Sequence, residues 1–207
     1  MDFEMSKKLG GIGALLMFIG VIPYISIWGL TSLVGAILLL IAMKGLADYY
    51  KEAGIFNNVL YGTVAGIVGV VVFVAALFTS LVGFLIEVFP NWNRDWTSIT
   101  QLDLEDISTN IASSNILNFA ASLLISFVIL FVAVLIVALF YRKSLELLRN
   151  KAGIGMFGTV GTLLLIGAVL TIVLIGLILV WVALLMLAIA FFQLRPQPAQ
   201  TTATVTN

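Results

Sequence analysis

Four long apolar stretches, separated by short polar segments, dominate the chain. They cover residues 9–47, 58–89, 116–141 and 155–192. An α-helix rises about 1.5 Å per residue and the hydrocarbon core of a bilayer is about 30 Å thick, so about 20 apolar residues make one crossing. The pattern therefore predicts helices that span a membrane.

The first and last stretches are too long for one crossing each. Residues 9–43 would span roughly 50 Å as one helix, and Pro23 within them disfavours helix at the residue before it. We therefore expect a hairpin of two helices in the first stretch. Residues 155–192 carry no charge and would span roughly 57 Å, so we expect a second hairpin that turns near residues 171–176. The two central stretches lack internal turn signals, and we expect one tilted or protruding crossing from each. The predicted helices cover about residues 9–22, 27–47, 58–89, 116–141, 155–171 and 176–193.

The basic residues give an independent test of this arrangement. Basic residues close to membrane segments stay in the cytoplasm. The six-helix arrangement places nine of the ten basic residues on one side: Lys7, Lys8, Lys44, Lys51, Arg142, Lys143, Arg149, Lys151 and Arg195. Arg94 alone falls opposite, and Tyr24, Trp28, Trp92 and Trp96 gather at that outer boundary, where amphipathic rings favour the headgroup region. The predicted fold is an all-α integral membrane protein of the cell membrane. It has six transmembrane helices, cytoplasmic N and C termini, and two terminal hairpins flanking two long central helices.

Composition supports the membrane prediction and removes several kinds of chemistry. Hydrophobic residues make up 62% of the chain, against roughly 45–50% in soluble domains. The formal net charge of zero provides no basic field for nucleic acid. The absence of cysteine and histidine removes disulfides, thiolate chemistry and the commonest metal ligand. No cleavage signal of the A-x-A kind interrupts residues 9–47, so we expect the first helix to be retained.

The domain prediction is one membrane domain over residues 1–195 and a disordered cytoplasmic tail over residues 196–207, which are rich in Pro, Gln and Thr. An outer loop over residues 90–115 joins the two central helices. Its carboxylates Asp103, Glu105 and Asp106 could attract calcium, but they lack the spacing of a calcium loop, and we interpret them as a solvated acidic face.

Candidate chemistry within the membrane is sparse. Glu87 lies near Pro90, and Lys44 and Asp48 lie near the inner end of the second helix, so each can reach a polar boundary. Hydroxyls could supply oxygens for a sodium site, but bonding to the carbonyls of their own helix is their commoner role. These hydroxyls belong to Thr63, Thr79, Ser80, Ser122, Ser126, Thr162 and Thr171. We predict no catalytic, cofactor-binding or metal-ligating residue and no enzymatic activity.

Glycines mark helix faces that can approach closely. They occur as Gly62-x-x-x-Gly66 with Gly69, and as Gly155, Gly158 and Gly161, and such faces serve packing within one chain or dimerisation. Gly10-x-x-Gly13 in the first hairpin also matches Gly158-x-x-Gly161 in the last. Duplication of a two-helix unit and chance recurrence both explain that match.

Three segments carry a resemblance to a known family. They are Gly10-Gly11-Ile12-Gly13, residues 44–52 and Ile55-Phe56-Asn57-Asn58. Within the cytoplasmic loop, Gly54 can end one helix, and Asn57 or Asn58 can cap the next. Together the three segments resemble the domain-of-unknown-function 996 family, best over the first 60 or so residues and more loosely to Phe191-Phe192. The resemblance implies a multi-pass membrane protein of archaea or bacteria with no established activity.

Two main functional hypotheses remain. The first is a non-enzymatic accessory or assembly subunit, or a membrane-organising homo-oligomer, whose partners are the bilayer and other membrane proteins. The alternative is a transporter or channel for a neutral or apolar small solute, suggested by the repeated hairpin and the helix hydroxyls. A lipid enzyme is a third possibility, and only the outer acidic loop could host it.

Overall fold

The computed structural model describes residues 2–22, 29–88 and 116–196. These residues form six α-helices, which confirms the all-α, six-helix part of the prediction. The helices are α1 (Phe3–Gly20), α2 (Leu30–Tyr49), α3 (Ala53–Val88), α4 (Ile116–Ala152), α5 (Gly155–Leu170) and α6 (Ile175–Phe192). The predicted first turn at Pro23, the outer loop 90–115 with its carboxylates, and the tail beyond Pro196 lie outside the described residues.

Five of the six helices are long and apolar enough to cross a membrane, namely α2 to α6. The remaining helix, α1, has 18 residues but carries Glu4, Lys7 and Lys8 in its first turns. Its apolar part from Leu9 to Gly20 is about 18 Å long, shorter than a typical hydrocarbon core. The crossing by α1 and the cytoplasmic side of both termini stay predictions.

The central helices extend beyond the predicted limits at their polar ends. Helix α3 begins at Ala53, and α4 continues past Tyr141 to Ala152. The continuation of α4 is amphipathic, since Leu145 and Leu148 are buried while charged residues occupy the other face. The end of the apolar run in the sequence is therefore the end of the part of α4 that suits a lipid environment, and the helix itself continues beyond it in amphipathic form.

The described residues divide into two units. The first takes in the described residues of Met1–Thr63 and Leu135–Asn207, and the second takes in those of Val64–Val134. The first unit contains the four shorter helices and the adjoining ends of α3 and α4. Its largest fully buried side chains are Phe157, Phe191, Met43, Leu46, Ile55, Leu145, Leu148, Leu187 and Leu194. The rings of Phe157 and Phe191 meet edge to face with centroids 5.5 Å apart, which joins α5 to α6 at the centre of this core.

Helix α1 packs against both α2 and α6, and glycines permit both contacts. A Cβ atom on Gly13 would lie 2.7 Å from the carbonyl oxygen of Gly35, and one on Gly35 would lie 2.6 Å from that of Gly13. A Cβ atom on Gly10 would overlap the buried ring of Phe191. On the α6 side, the indole Nε1 of Trp181 donates a hydrogen bond of 3.0 Å to the carbonyl of Phe18.

Helices α5 and α6 form a tight hairpin. Thr171–Val173 is a 3₁₀ turn, and Leu174 follows in the left-handed region with φ of 63°. The connection lies within residues 171–176, where the sequence predicts a turn. A Cβ atom on Gly167 would lie 3.1 Å from the carbonyl oxygen of Gly176, so the two helices stay close as they leave the turn.

The second unit is an antiparallel pair formed by parts of α3 and α4. The rings of Phe73 and Phe127 have centroids 5.7 Å apart, and those of Phe84 and Phe119 are stacked at 4.3 Å. Gly69 of α3 also faces Ala133 of α4 closely. Aromatic and small residues therefore share one interface along the pair.

We expect Gly35→Ala to destabilise the protein by about 1–3 kcal/mol, the usual cost of an overpacked interface. The new methyl group would meet the backbone of α1, which cannot move aside as a side chain can. The measurement is the thermal stability of the purified chain in mild detergent.

Gly83→Ala is the matched control for this substitution. Gly83 also lies within a helix, but a Cβ atom there would meet nothing within 4 Å among the described residues. Because alanine favours helix over glycine by up to about 1 kcal/mol, this variant should be as stable as the native chain or more so. Equal stability of the two alanine variants would contradict the close contact between α1 and α2.

Candidate functional site at the charged end

One end of the first unit collects most of the charged side chains, and we call it the charged end. It comprises residues 2–8, 44–58, 142–155 and 192–196. Ring contact between Phe3 and Tyr49, at 4.6 Å between centroids, brings the start of α1 to the end of α2. Lys151 and Glu52 form an ion pair of 3.2 Å that joins the end of α4 to the α2–α3 loop. All nine basic residues predicted to share one side lie in these segments.

Three of these cations are paired with carboxylates. Besides the Lys151–Glu52 pair, Lys44 meets Asp48 at 2.8 Å and Arg149 meets Glu146 at 2.9 Å. All three pairs are solvent-accessible, and such pairs contribute at most about 1 kcal/mol each. They neutralise part of the charged end and leave other cations available.

The α2–α3 loop differs from its prediction. Helix α2 ends at Tyr49, and Lys51 follows in the left-handed region with φ of 52°. The amide of Glu52 donates to the carbonyl of Ala47 and the amide of Lys51 donates to that of Asp48, which is the hydrogen-bond pattern of a Schellman motif. The expectation that Gly54 ends a helix is therefore wrong, because a lysine takes the left-handed position.

The predicted cap at Asn57 or Asn58 is also wrong. Helix α3 already begins at Ala53, so both asparagines lie inside its first turns. The side-chain amide of Asn58 donates to the carbonyl of Gly54 at 2.7 Å. The buried hydroxyl of Ser144 donates to the carbonyl of Ile55 and ties α4 to the start of α3. These polar groups hold the loop and the adjoining helices in place.

Tyr50 is an exception among the polar groups of this loop. Its side chain is 8% exposed, and its hydroxyl makes no hydrogen bond within the described part of the chain. Burial raises the pKa of Tyr50 from 10.0 to about 12, and the neighbouring Tyr49 adds to the shift. The fold therefore favours the neutral phenol.

The seven helix hydroxyls singled out in the sequence have the commoner of their two expected roles. Each donates to a carbonyl three or four residues earlier in the chain, with oxygen–oxygen distances of 2.8 to 3.1 Å. Thr63 also lies 3.0 Å from the hydroxyl of Tyr141. Satisfied helix hydroxyls of this kind need no bound ion to explain them.

The glycine faces pack within the chain at the positions where contacts are seen. Gly62 lies against Phe140 and Tyr141, Gly158 against Arg149, and Gly161 against the backbone of Arg142. Gly155 differs, since a Cβ atom there would meet nothing within 4 Å in the part of the chain that the structure describes. In residues 2–22, 29–88 and 116–196, no group of three or more carboxylates could hold a metal ion.

A groove of about 640 Å³ opens at the charged end. It is lined by Lys7, Ala152, Ile154, Phe192, Gln193, Leu194 and Arg195. The lining thus combines two cations with partly apolar surface, a composition suited to an amphipathic anion. Sequence reasoning missed this groove because its residues come from three segments that are far apart in the chain. The one sequence signal that pointed to the groove was the prediction that Lys7 and Arg195 lie on the same side of the membrane.

We expect Tyr50→Phe to remove part of the loss of stability at alkaline pH. The folded-state pKa of about 12 exceeds the unfolded value of 10.0. The stability contributed by neutral Tyr50 is therefore fully present below pH 10 and is lost as the pH rises from 10 to 12. At neutral pH, removing a buried unpaired hydroxyl should be neutral or stabilising by about 1 kcal/mol.

Chemical unfolding of the detergent-solubilised protein between pH 7 and 12 checks this expectation. Tyr61→Phe is the control, because its side chain is 55% exposed. A Tyr50→Phe variant with the same alkaline profile as the native chain, or with a marked loss of stability at pH 7, would contradict the environment described for Tyr50.

Comparison with known proteins gives a family but no activity. The family model described as "Protein of unknown function (DUF996)" matches residues 31–185. The chain is also 26% identical to the uncharacterized protein MJ1644 of Methanocaldococcus jannaschii over 194 residues, which cover 94% of each chain. No solved structure matches.

The matched range includes two of the three segments that carried the resemblance, residues 44–52 and residues 55–58. The glycines at residues 10–13 lie before it. Because the match covers well over half of the 207 residues, the chain belongs to the DUF996 family of proteins of unknown function.

Proposed function

We propose that this protein is a non-enzymatic, six-pass protein of the cell membrane with cytoplasmic termini. It acts by association within the bilayer, as an accessory or assembly subunit of a larger complex or as a homo-oligomer. Nucleic acid has no part in this proposal. The main support for the proposal is one exposed surface of α3.

That surface is a seam of β-branched side chains on α3. Val64, Ile67, Val71 and Val74 follow the alternating three- and four-residue spacing of a heptad, which places them on one stripe of the helix. Their side chains are 50–62% exposed. Alternating three- and four-residue spacing is the pattern by which two helices interlock side chains along a left-handed crossing.

The pairing of α3 with α4 uses other residues of α3. Gly69 contacts Ala133, and Phe73 contacts Phe127. The seam is therefore not required for the internal pair. Within a bilayer, association depends on close packing more than on removing apolar surface from water. Stiff β-branched side chains suit such packing because they lose little rotamer freedom on contact.

Transport of a neutral solute is less well supported. That alternative depended on the repeated hairpin and on hydroxyls that could coordinate an ion or solute. The hydroxyls bond to helix carbonyls, and Gly158 and Gly161 of the second hairpin pack against α4. Both features have a structural explanation, so association is the function we put forward.

Cysteine cross-linking in native membranes tests the seam directly, since the chain has no cysteine of its own. Under mild oxidation, Val64→Cys and Val71→Cys should each give a covalent dimer if the partner is a second copy. Val70→Cys and Val72→Cys are matched controls, because these side chains are 53% and 45% exposed but lie off the seam. We expect at least about a fivefold lower dimer yield from them, because a disulfide needs Cα atoms within about 7 Å.

Mild-detergent purification of the tagged native protein distinguishes the two forms of association. A reproducible complex with another membrane protein identifies an accessory subunit, and a homo-oligomer that cross-links through the seam identifies self-association. A chain that stays monomeric, captures no partner and cross-links equally at all four positions would refute the proposal.

A further inference from the structure

The groove at the charged end has features of a binding site for an anionic lipid. Its cationic residues are Lys7, on α1, and Arg195, which follows the end of α6. Neither forms an ion pair among the described residues. The remaining tail, residues 196–207, contains no aspartate or glutamate that could neutralise them.

The packing of α1 on α6 holds these two cations in one place. Gly10 contacts the ring of Phe191, and a Cβ atom on Gly11 would lie 2.5 Å from the ring of Phe192. Lys7 lies one turn before these glycines, and Arg195 lies one turn after these phenylalanines. The same close contact therefore helps to bring Lys7 and Arg195 into the lining of one groove.

The rest of the lining is suited to a lipid. Ile154 and Phe192 provide apolar surface, Phe192 is 46% exposed, and the side chain of Gln193 adds an amide that can donate hydrogen bonds. The volume of about 640 Å³ lies within the range of small-molecule sites, about 300–1,000 Å³. The groove lies at the end of α6, which is apolar enough to cross a membrane. Lipid headgroups lie at the ends of helices that span a bilayer.

We propose that this groove binds the phosphate of an anionic phospholipid headgroup between the Lys7 ammonium and the Arg195 guanidinium. The apolar side chains of Phe192 and Ile154 contact the start of the lipid tails. Guanidinium and ammonium groups are the usual partners of phosphate, since each forms charge-assisted hydrogen bonds to it.

A second groove on the same unit supplies a matched control. It has a volume of about 420 Å³ and is lined by Leu139, Arg142, Lys143, Glu146 and Leu147. Arg142 and Lys143 also form no ion pair in the described part of the chain, but the carboxylate of Glu146 shares their groove. Replacing Arg142 and Lys143 removes the same amount of charge from the same end without altering the proposed site.

The test is native mass spectrometry of the full chain in detergent, titrated with phosphatidylglycerol, phosphatidylcholine or inorganic phosphate. We expect the native chain to prefer phosphatidylglycerol. Lys7→Gln with Arg195→Gln should weaken that binding about 10- to 30-fold, as expected for two cations near an anionic headgroup. Arg142→Gln with Lys143→Gln should change it less than about threefold.

Two further variants keep the result interpretable. Lys7→Arg with Arg195→Lys conserves both charges and should retain binding. Retained binding would show that the glutamine variant binds weakly because it lacks the charges and not because substitution at these positions causes misfolding. Gly11→Ala changes no charge but disturbs the α1–α6 contact, and it should weaken phosphatidylglycerol binding.

Three results would overturn the proposal. One is equal weakening by the two charge-removing double variants, which would indicate a general effect of the positive end. Another is equal affinity of the native chain for phosphatidylcholine. The third is binding of inorganic phosphate at the same residues with the affinity of the lipid, which would identify a site for free phosphate.

Discussion

The close approach of α1 to both α2 and α6 is the contact on which most of the first unit depends. Gly13 and Gly35 bring two backbones together, and Gly10 accommodates the ring of Phe191. A side chain at any of these positions would separate helices that contribute to one core. The effect reaches the surface, because the register of α1 on α6 also fixes where Lys7 lies relative to Arg195. Packing in the interior and charge placement at the end of the helices therefore depend on the same glycines.

Polar groups within the helices follow a simple rule. A hydroxyl in an apolar helix is satisfied locally by the carbonyl one turn earlier, which costs the helix little and needs no partner from elsewhere. The rule holds for the hydroxyls of Thr63, Thr79, Ser80, Ser122, Ser126, Thr162 and Thr171. The hydroxyl of Tyr50 differs, since its ring is buried beside Tyr49 just after α2 and the hydroxyl has no hydrogen-bond partner among the described residues. Loops between packed helices are where polar groups are hardest to satisfy.

Sequence reasoning predicted the features that depend on local chemistry. The six helices, the turn within residues 171–176 and the role of the hydroxyls follow from apolar length and from hydrogen-bonding preferences. The predicted end of α2 near residue 47 lies within two residues of the observed end at Tyr49, but the prediction that Gly54 ends the helix is wrong because Lys51 adopts the left-handed conformation that sequence rules assign to glycine. The groove was missed because it joins Lys7, the α4–α5 loop and Arg195, whose proximity depends on tertiary packing. Local rules contain no information on such long-range contacts.

In the predicted topology the positive-inside rule gives one reason for basic residues to gather at one end, but the rule does not determine how they are arranged there. A lysine that only orients a helix needs to be near the membrane boundary, and its neighbours are irrelevant to that role. Lys44, Arg149 and Lys151 have carboxylate partners, and such pairing is compatible with that role. Lys7 and Arg195 have no such partner among the described residues, and they converge on one groove from opposite ends of the chain. Topology alone does not require that convergence, whereas binding of an anionic headgroup does.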